Sequence, residues 1–225
     1  MKHAYLLYTG YGKTKMCLDK MRKAPRNPRT LLISTKKIVE SSWSAEIDKW
    51  YPGKISYSYF TGDIKPNRRL EIVDMKTDIL GISTSMLMWY ISNTCSVKRK
   101  AILKSGKVKL YYDTDELLTR FDLVIIDESS LFKNSQSNRF KALWKWVSKM
   151  PNVMILSATP TPKNIEDIWS QIYLLDGGKR LGKNITKFRT DWGIPVPLPN
   201  GFTKWEYTQA AIDDVLNKVK DITTS

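Results

Sequence analysis

The amino-acid sequence predicts an α/β fold with a mostly parallel central sheet and helices on both faces. Short apolar runs alternate with segments of helical character along the chain, the pattern of repeated strand-helix units. Two of those runs, Leu123-Val124-Ile125-Ile126 and Val153-Met154-Ile155-Leu156, show no polar alternation, as expected of strands buried on both sides near the middle of a sheet.

Taken in order, Ala4 to Tyr8 reads as a strand that breaks at Gly10 and Gly12, and Lys13 to Lys23 as a helix. Thr30 to Ser34 is a second strand, followed by a helix from Ile38 to Trp50 that stops before Pro52-Gly53. Further strands are expected at Ile55 to Phe60, Asp78 to Thr84, Phe121 to Asp127 and Asn152 to Thr159. Between Ser96 and Lys109 the pattern is interrupted by six positive charges and no negative one. This basic insertion, about residues 96–110, is either a solvated hairpin or loop or a contact for nucleic acid through Lys98, Arg99 and Lys100. Residues 1–176 are expected to form the main lobe. Residues 177–225 form a C-terminal extension, irregular around Pro195, Pro197 and Pro199, then helical from Ala210 to Ile222. In the segment before the fourth of these strands, Phe140, Leu143, Trp144 and Val147 share one helical face, the pattern of core packing, while periodicity leaves Trp146 unassigned.

Composition narrows the function. Hydrophobic residues are 42% and charged residues 26% of the chain, ordinary for a folded globular protein. Lys and Arg number 37 against 22 Asp and Glu, a net charge of +15 that favours an anionic partner, with nucleic acid the leading candidate. Cys17 and Cys95 alone make no disulfide framework, which implies a reduced, intracellular setting, and the single His3 excludes a histidine-rich metal site. No signal peptide or membrane span is present in the sequence.

Three strand ends carry chemistry. Gly10-Tyr11-Gly12-Lys13-Thr14 lies between a strand and a helix, the setting of a phosphate-binding loop. Its backbone N–H groups would close on phosphates, Lys13 would reach the β- and γ-phosphates of ATP, and the Thr14 hydroxyl would hold Mg²⁺. The full loop spacing is not met, because Leu7 stands where the first glycine is expected. Asp127-Glu128 ends the most hydrophobic strand, placing two carboxylates where open α/β folds bind ligands. Asp127 would hold Mg²⁺ through water, and Glu128 would orient and deprotonate an attacking water. Ser157 and Thr159, in Ser-Ala-Thr-Pro, would sense the γ-phosphate and pass the signal on.

Together these segments resemble helicase superfamily two: Gly-Tyr-Gly-Lys-Thr its motif one, Asp-Glu-Ser-Ser its motif two, Ser-Ala-Thr-Pro its motif three. A narrower likeness is to Swi/Snf-related ATPases of the compact bacteriophage type. Leu-Ile-Ser-Thr-Lys-Lys-Ile-Val-Glu-Ser-Ser-Trp with Glu46, Lys49 and Trp50 is similar to their motif Ia region. Val-Ile-Ile-Asp-Glu-Ser-Ser-Leu-Phe-Lys-Asn, the stretch from Asp167 to Gly182 and Phe188-Arg189 are similar to their downstream segments. The resemblance implies a RecA-like ATP-binding lobe, ATP and Mg²⁺ as cofactors, and tracking along nucleic acid, usually duplex DNA. Phosphate contacts would fall near Ser34, Thr35, Lys36, Ser83 and Thr84, and the setting would be the cytoplasm of a bacterial host if the chain is phage-encoded. It also implies a second RecA-like lobe carrying an arginine finger, in another chain or in further sequence, without which hydrolysis is expected to be weak. With ten residues, Met1 to Gly10, ahead of the lysine, the family's adenine-reading segment is not expected in this sequence, and Lys163 stands where the family has asparagine. A non-catalytic ATP- or DNA-binding accessory protein derived from such a motor is the alternative. A small nucleotide kinase is disfavoured, because Ser-Ala-Thr-Pro and the Asp167 to Gly182 stretch have no role in one.

Overall fold

The computed structural model describes residues 1–8, 10–103, 105–158 and 165–224. From the N-terminus run β1 (Lys2–Leu6), α1 (Lys13–Arg22), β2 (Thr30–Ser34), α2 (Trp43–Trp50), β3 (Tyr57–Phe60), α3 (Pro66–Asp74), β4 (Ile79–Ser83) and α4 (Leu87–Thr94). A hairpin of β5 (Val97–Ile102) and β6 (Val108–Tyr112) follows, then α5 (Leu117–Arg120), β7 (Leu123–Ile126), α6 (Asn138–Val147), β8 (Val153–Ser157), α7 (Glu166–Asp176) and α8 (Ile185–Trp192). A second hairpin, β9 (Ile194–Pro197) with β10 (Thr203–Glu206), leads to α9 (Gln209–Val219) and β11 (Thr223–Thr224).

Seven strands form one sheet in the order β11-β1-β8-β7-β2-β4-β3, and every pairing in it is parallel. The two unalternating runs are neighbours in its middle, as their composition requires, since both faces of β7 and β8 are buried. The helices divide into two cores. One, around Leu18, Leu32, Trp43 and Ile125, lies under α1 and α2. The larger, around Ile33, Val124, Leu143 and Leu175, lies under α4, α6, α7 and the C-terminal helices.

Several boundaries differ from the sequence reading, each for a local reason. β1 starts at Lys2 and ends at Leu6 because Leu7 and Tyr8 turn their carbonyls to the Lys13 ammonium, at 2.8 and 2.9 Å. The helix expected from Ile38 opens instead as a wide π-turn, Ile38–Ser42, before α2 begins. Trp146 is fully buried and Trp144 half-buried against Tyr173, because α6 is wedged between α4 and α7 and its apolar arc is correspondingly broad. The Trp146 indole N–H finds its partner one turn back, at the Ala142 carbonyl.

The basic insertion is an antiparallel two-stranded ribbon whose strands pair only with each other. The proline-rich stretch also forms a ribbon, and Pro195 and Pro197 are accommodated because β9 has a partner on one side only.

Residues 177–224 share the main core. β11 extends the sheet beyond β1, and Phe188, Val215 and Val219 are buried in the same cluster as Val124 and Ile155. Phe188 packs against Trp192 and Tyr207 with ring centroids 5.1 and 6.0 Å apart. Beside it, Arg189 forks onto Glu166 at 3.0 and 2.8 Å while the Tyr207 hydroxyl donates to the same carboxylate at 2.7 Å. Burial works against the charge on Glu166, and these donors outweigh it and hold the carboxyl below its usual range. Phe188→Ala is expected to cost about 3–5 kcal/mol, the range for emptying a buried aromatic site. Denaturation followed by both circular dichroism and tryptophan fluorescence should show one transition, moved to lower denaturant. A second transition, with the first unmoved, would show that the C-terminal residues fold separately.

Candidate nucleotide and nucleic-acid site

In a parallel sheet all strands end at the same edge, so the order of strands sets the order of the groups that leave it. Along this edge stand the loop after β1, Ser157 on β8, Asp127-Glu128 after β7, Ser34 to Lys36 on and after β2, and Ser83-Thr84 on and after β4. Neighbours are about 4.8 Å apart, the ordinary strand spacing. Two backbone bonds lock the row: the Leu7 N–H donates to the Ser157 carbonyl at 3.2 Å, and the Asp127 N–H to the Ile33 carbonyl at 3.0 Å.

The loop turns on two glycines in the left-handed region, Gly10 at φ 89° and Gly12 at φ 71°. Neither has any atom within 4 Å of the place a Cβ would occupy, so the inside of the loop is open. Gly12 caps α1, no side chain satisfies that helix end, and its first turn has no acidic residue. Such a terminus attracts anions. Lys13 sits at the start of the helix with its ammonium folded back on the loop carbonyls. Burial lowers its pKa, and the nearby Asp127 and Glu128 carboxylates pull it upward.

Asp127 is buried, and each of its oxygens is held. The Trp43 indole donates to Oδ2 at 2.9 Å, and the Glu128 N–H donates to Oδ1 at 2.9 Å. Burial pushes this carboxyl above its ordinary pKa, against those two donors and Lys13, which favour the charged form. Glu128 is the one non-glycine residue with positive φ among the described residues, at φ 57° and ψ 54°. Ser130 donates to its Oε1 at 2.8 Å, and Ser129, fully buried, donates to Gln171 on α7 at 2.6 Å. Among the described residues no cluster of three or more His, Cys, Asp or Glu gathers into a metal site. A Mg²⁺ ion here would therefore take ligands from Thr14, Asp127, water and nucleotide phosphates.

Ser34 and Ser83 are register partners on adjacent strands, so the candidate nucleic-acid residues of β2 and β4 lie side by side. The Ser34 hydroxyl is buried and has no hydrogen-bond partner among the described residues. Ser83 bonds Ser85 at 3.1 Å, Thr84 is buried, and Thr35 is half-buried. The Lys36 ammonium rests on Asp63, with Glu40 at 4.0 Å. Lys98, Arg99 and Lys100 are elsewhere. Their hairpin is tied at its base to Glu116 and to the Thr94–Arg120 bond, just ahead of β7, at the edge where the strands begin. Ser157 is buried at the end of β8, and Thr159 lies outside the described residues.

Sequence reasoning assigned no role to Trp43, Ser130 or Gln171. A signal for Trp43 was present: Val39, Trp43 and Ile47 are spaced four apart, placing a tryptophan on the buried face, where its N–H needs an acceptor. The strand beside β2 supplies one in Asp127.

A profile for the SNF2-related domain matches residues 6–219. Putative protein p41 of Acyrthosiphon pisum secondary endosymbiont phage 1 is 24% identical over 200 residues, covering 84% of this chain and 39% of p41. CHROMATIN REMODELING 5 of Arabidopsis thaliana is 24% identical over 180 residues, 78% of this chain and 10% of that protein. The DNA excision repair protein ERCC-6-like of Danio rerio is 25% identical over 191 residues, 83% of this chain and 12% of that protein. The chain thus spans well under half the length of these relatives. The Sulfolobus solfataricus SWI2/SNF2 ATPase core, solved in complex with dsDNA, superposes with a TM-score of 0.66 at 18% identity, over 99% of this chain and 39% of that one. No helix among the described residues is long and apolar enough to cross a membrane. The parallel sheet, the row of groups at its edge and a match spanning nearly the whole sequence agree, and the chain belongs to the SNF2-related domain family, with the fold of a SWI2/SNF2 ATPase core's RecA-like lobe.

Proposed function

We propose that this chain is the ATP-binding lobe of a DNA-dependent translocase, hydrolysing ATP in partnership with a second RecA-like lobe carried by another chain or by further sequence. The observation that carries the reading is the single edge on which the Lys13 loop, the Asp127-Glu128 pair and the Ser34 and Ser83 loops stand in unbroken order. The open loop fits phosphates, and Lys13 supplies the charge for them. On binding, its ammonium exchanges two neutral carbonyls for phosphate oxygens, a stronger, charge-assisted contact. Thr14 and Asp127 are the residues that would hold Mg²⁺, which when bound neutralises charge on the transferring phosphoryl group. Glu128, steadied by Ser130, is positioned to orient a water and take its proton. Gly10, Tyr11 and Gly12 offer the loop backbone, and Ser157 links the loop to the next strand.

The nucleic-acid path in this reading crosses the ends of β2 and β4. Thr35 and Lys36 face that edge, and the buried Ser34, Ser83 and Thr84 mark the strand ends just beneath it, where loop backbone N–H groups and small hydroxyls suit a phosphodiester backbone. Trp43 connects the two halves, since α2 follows the Lys36 loop and its indole holds the Asp127 carboxylate. A duplex as ligand is supported by the solved SWI2/SNF2 core in complex with dsDNA, and phosphoryl chemistry by the family's ATPase core. The phage relative is consistent with work inside a bacterial host's cytoplasm.

Lys13→Ala should abolish binding of ATP·Mg²⁺ in calorimetry while leaving the melting temperature close to that of the parent, because the loop around it is exposed. Unchanged affinity would remove the phosphate-loop assignment. Glu128→Gln should keep ATP binding and lose hydrolysis by about 10²-fold or more, the lower range for a general base. Phosphate release measured with and without duplex DNA and a second lobe is the assay, and undiminished turnover would make Glu128 a structural cap.

A further inference from the structure

The basic hairpin lies at the wrong edge of the sheet to share the Lys36 path. α4 carries the chain back from the end of β4, and the ribbon emerges where β7 and β8 begin. Five-residue strands at ~3.3 Å per residue put the two edges roughly 16 Å apart. At this far edge the hairpin and the end of α6 enclose an open depression of about 430 Å³, within the range of ligand sites. A β-bulge between Val97 and Arg99 brings the consecutive side chains of Lys98 and Arg99 both to its wall. Lys145 and Lys149 face them from α6 and the turn after it.

Charge in the depression is unbalanced. Lys98 pairs with Asp113 at 3.4 Å and Lys149 with Asp115 at 2.7 Å, which accounts for both lining carboxylates. Arg99 and Lys145 pair with none of the described carboxylates, and Arg99 instead lies over the Tyr111 ring at 4.6 Å. Beyond the depression the ribbon continues the positive line through Lys100, Lys107 and Lys109, with no acidic residue from Ser96 to Lys109. A line of cations longer than one mononucleotide, beside an aromatic ring, matches a phosphodiester backbone with bases free to stack.

We propose that the β5–β6 hairpin and the end of α6 form a second nucleic-acid site, separate from the Lys36 edge, so that one chain holds two nucleic-acid segments at once. Recognition is through phosphates and is independent of base sequence. The site stands on its own residues and does not require the nucleotide chemistry assigned to Lys13 and Glu128.

The test is a two-colour capture. A biotinylated duplex on beads binds the chain, and a fluorescent oligonucleotide, duplex or single-stranded, is then added. Recruitment of the fluorescent strand is expected for the parent and lost in Arg99→Glu/Lys145→Glu, which should still bind the first duplex and melt like the parent. Removing two phosphate contacts should also lower the slope of log K against log salt by about 2, at ~0.9 per phosphate. Lys36→Ala should weaken capture by the beads and spare binding at the hairpin. No recruitment by the parent overturns the proposal, as does recruitment and a slope unchanged in the double variant. Displacement of the oligonucleotide by millimolar inorganic phosphate overturns it too, since that marks a site for small anions. Should Lys13→Ala leave ATP binding intact while the double variant loses recruitment, the nucleotide reading falls and the second site stands.

Discussion

Burial of both faces of the central strands governs where this molecule places its polar chemistry. Leu31, Leu32, Ile33, Val124, Ile125 and Ile126 are wholly inaccessible, so a charged side chain within those runs would lose its water without a partner. Functional groups leave the sheet only where the strands end, and parallel pairing gathers those ends on one side. The row from the Lys13 loop to Thr84 follows from these two constraints. Asp127, a charge kept near the core, is tolerated because a neutral N–H bonds each of its oxygens.

The same constraint explains what was legible in the sequence. Unbroken apolar runs are long enough to locate β2, β7 and β8, and the residues just past them are necessarily the edge residues. Asp127 was therefore readable from position and Lys13 from its glycine loop, whereas Ser34 and Ser83 came from the family resemblance, and only contact geometry reveals that those two are register partners. Three things were not readable, for separate reasons. β11 has two residues and owes its place to pairing with β1, a contact between chain positions over two hundred apart. Trp146 is buried by helices on either side of α6, which a single helix's periodicity does not register. The location of Lys98 to Lys100 depends on the direction in which α4 crosses the sheet, and a count of positive charges says nothing about which edge they occupy.

Between the proposed nucleotide half and the proposed nucleic-acid half lies one strand boundary, β7 against β2, crossed by the Trp43 indole. Because Trp43 directly follows the π-turn that comes after Lys36, a shift of that turn moves a donor of the Asp127 carboxylate. Coupling of this kind needs no long pathway, since the two sites share a side chain and a backbone bond.

Glu128 holds a left-handed backbone, which costs a residue with a Cβ about 1–2 kcal/mol and a glycine almost nothing. The position is thus one where conformational ease and a carboxylate are incompatible. A lineage drifting under selection for fold alone would move toward glycine here and gain stability at once. Glutamate in this strained place carries a cost in stability that its proposed role as a base accounts for. A glycine here offers a scaffold, firmer than its parent, that lacks the proposed base and keeps the proposed nucleic-acid surfaces.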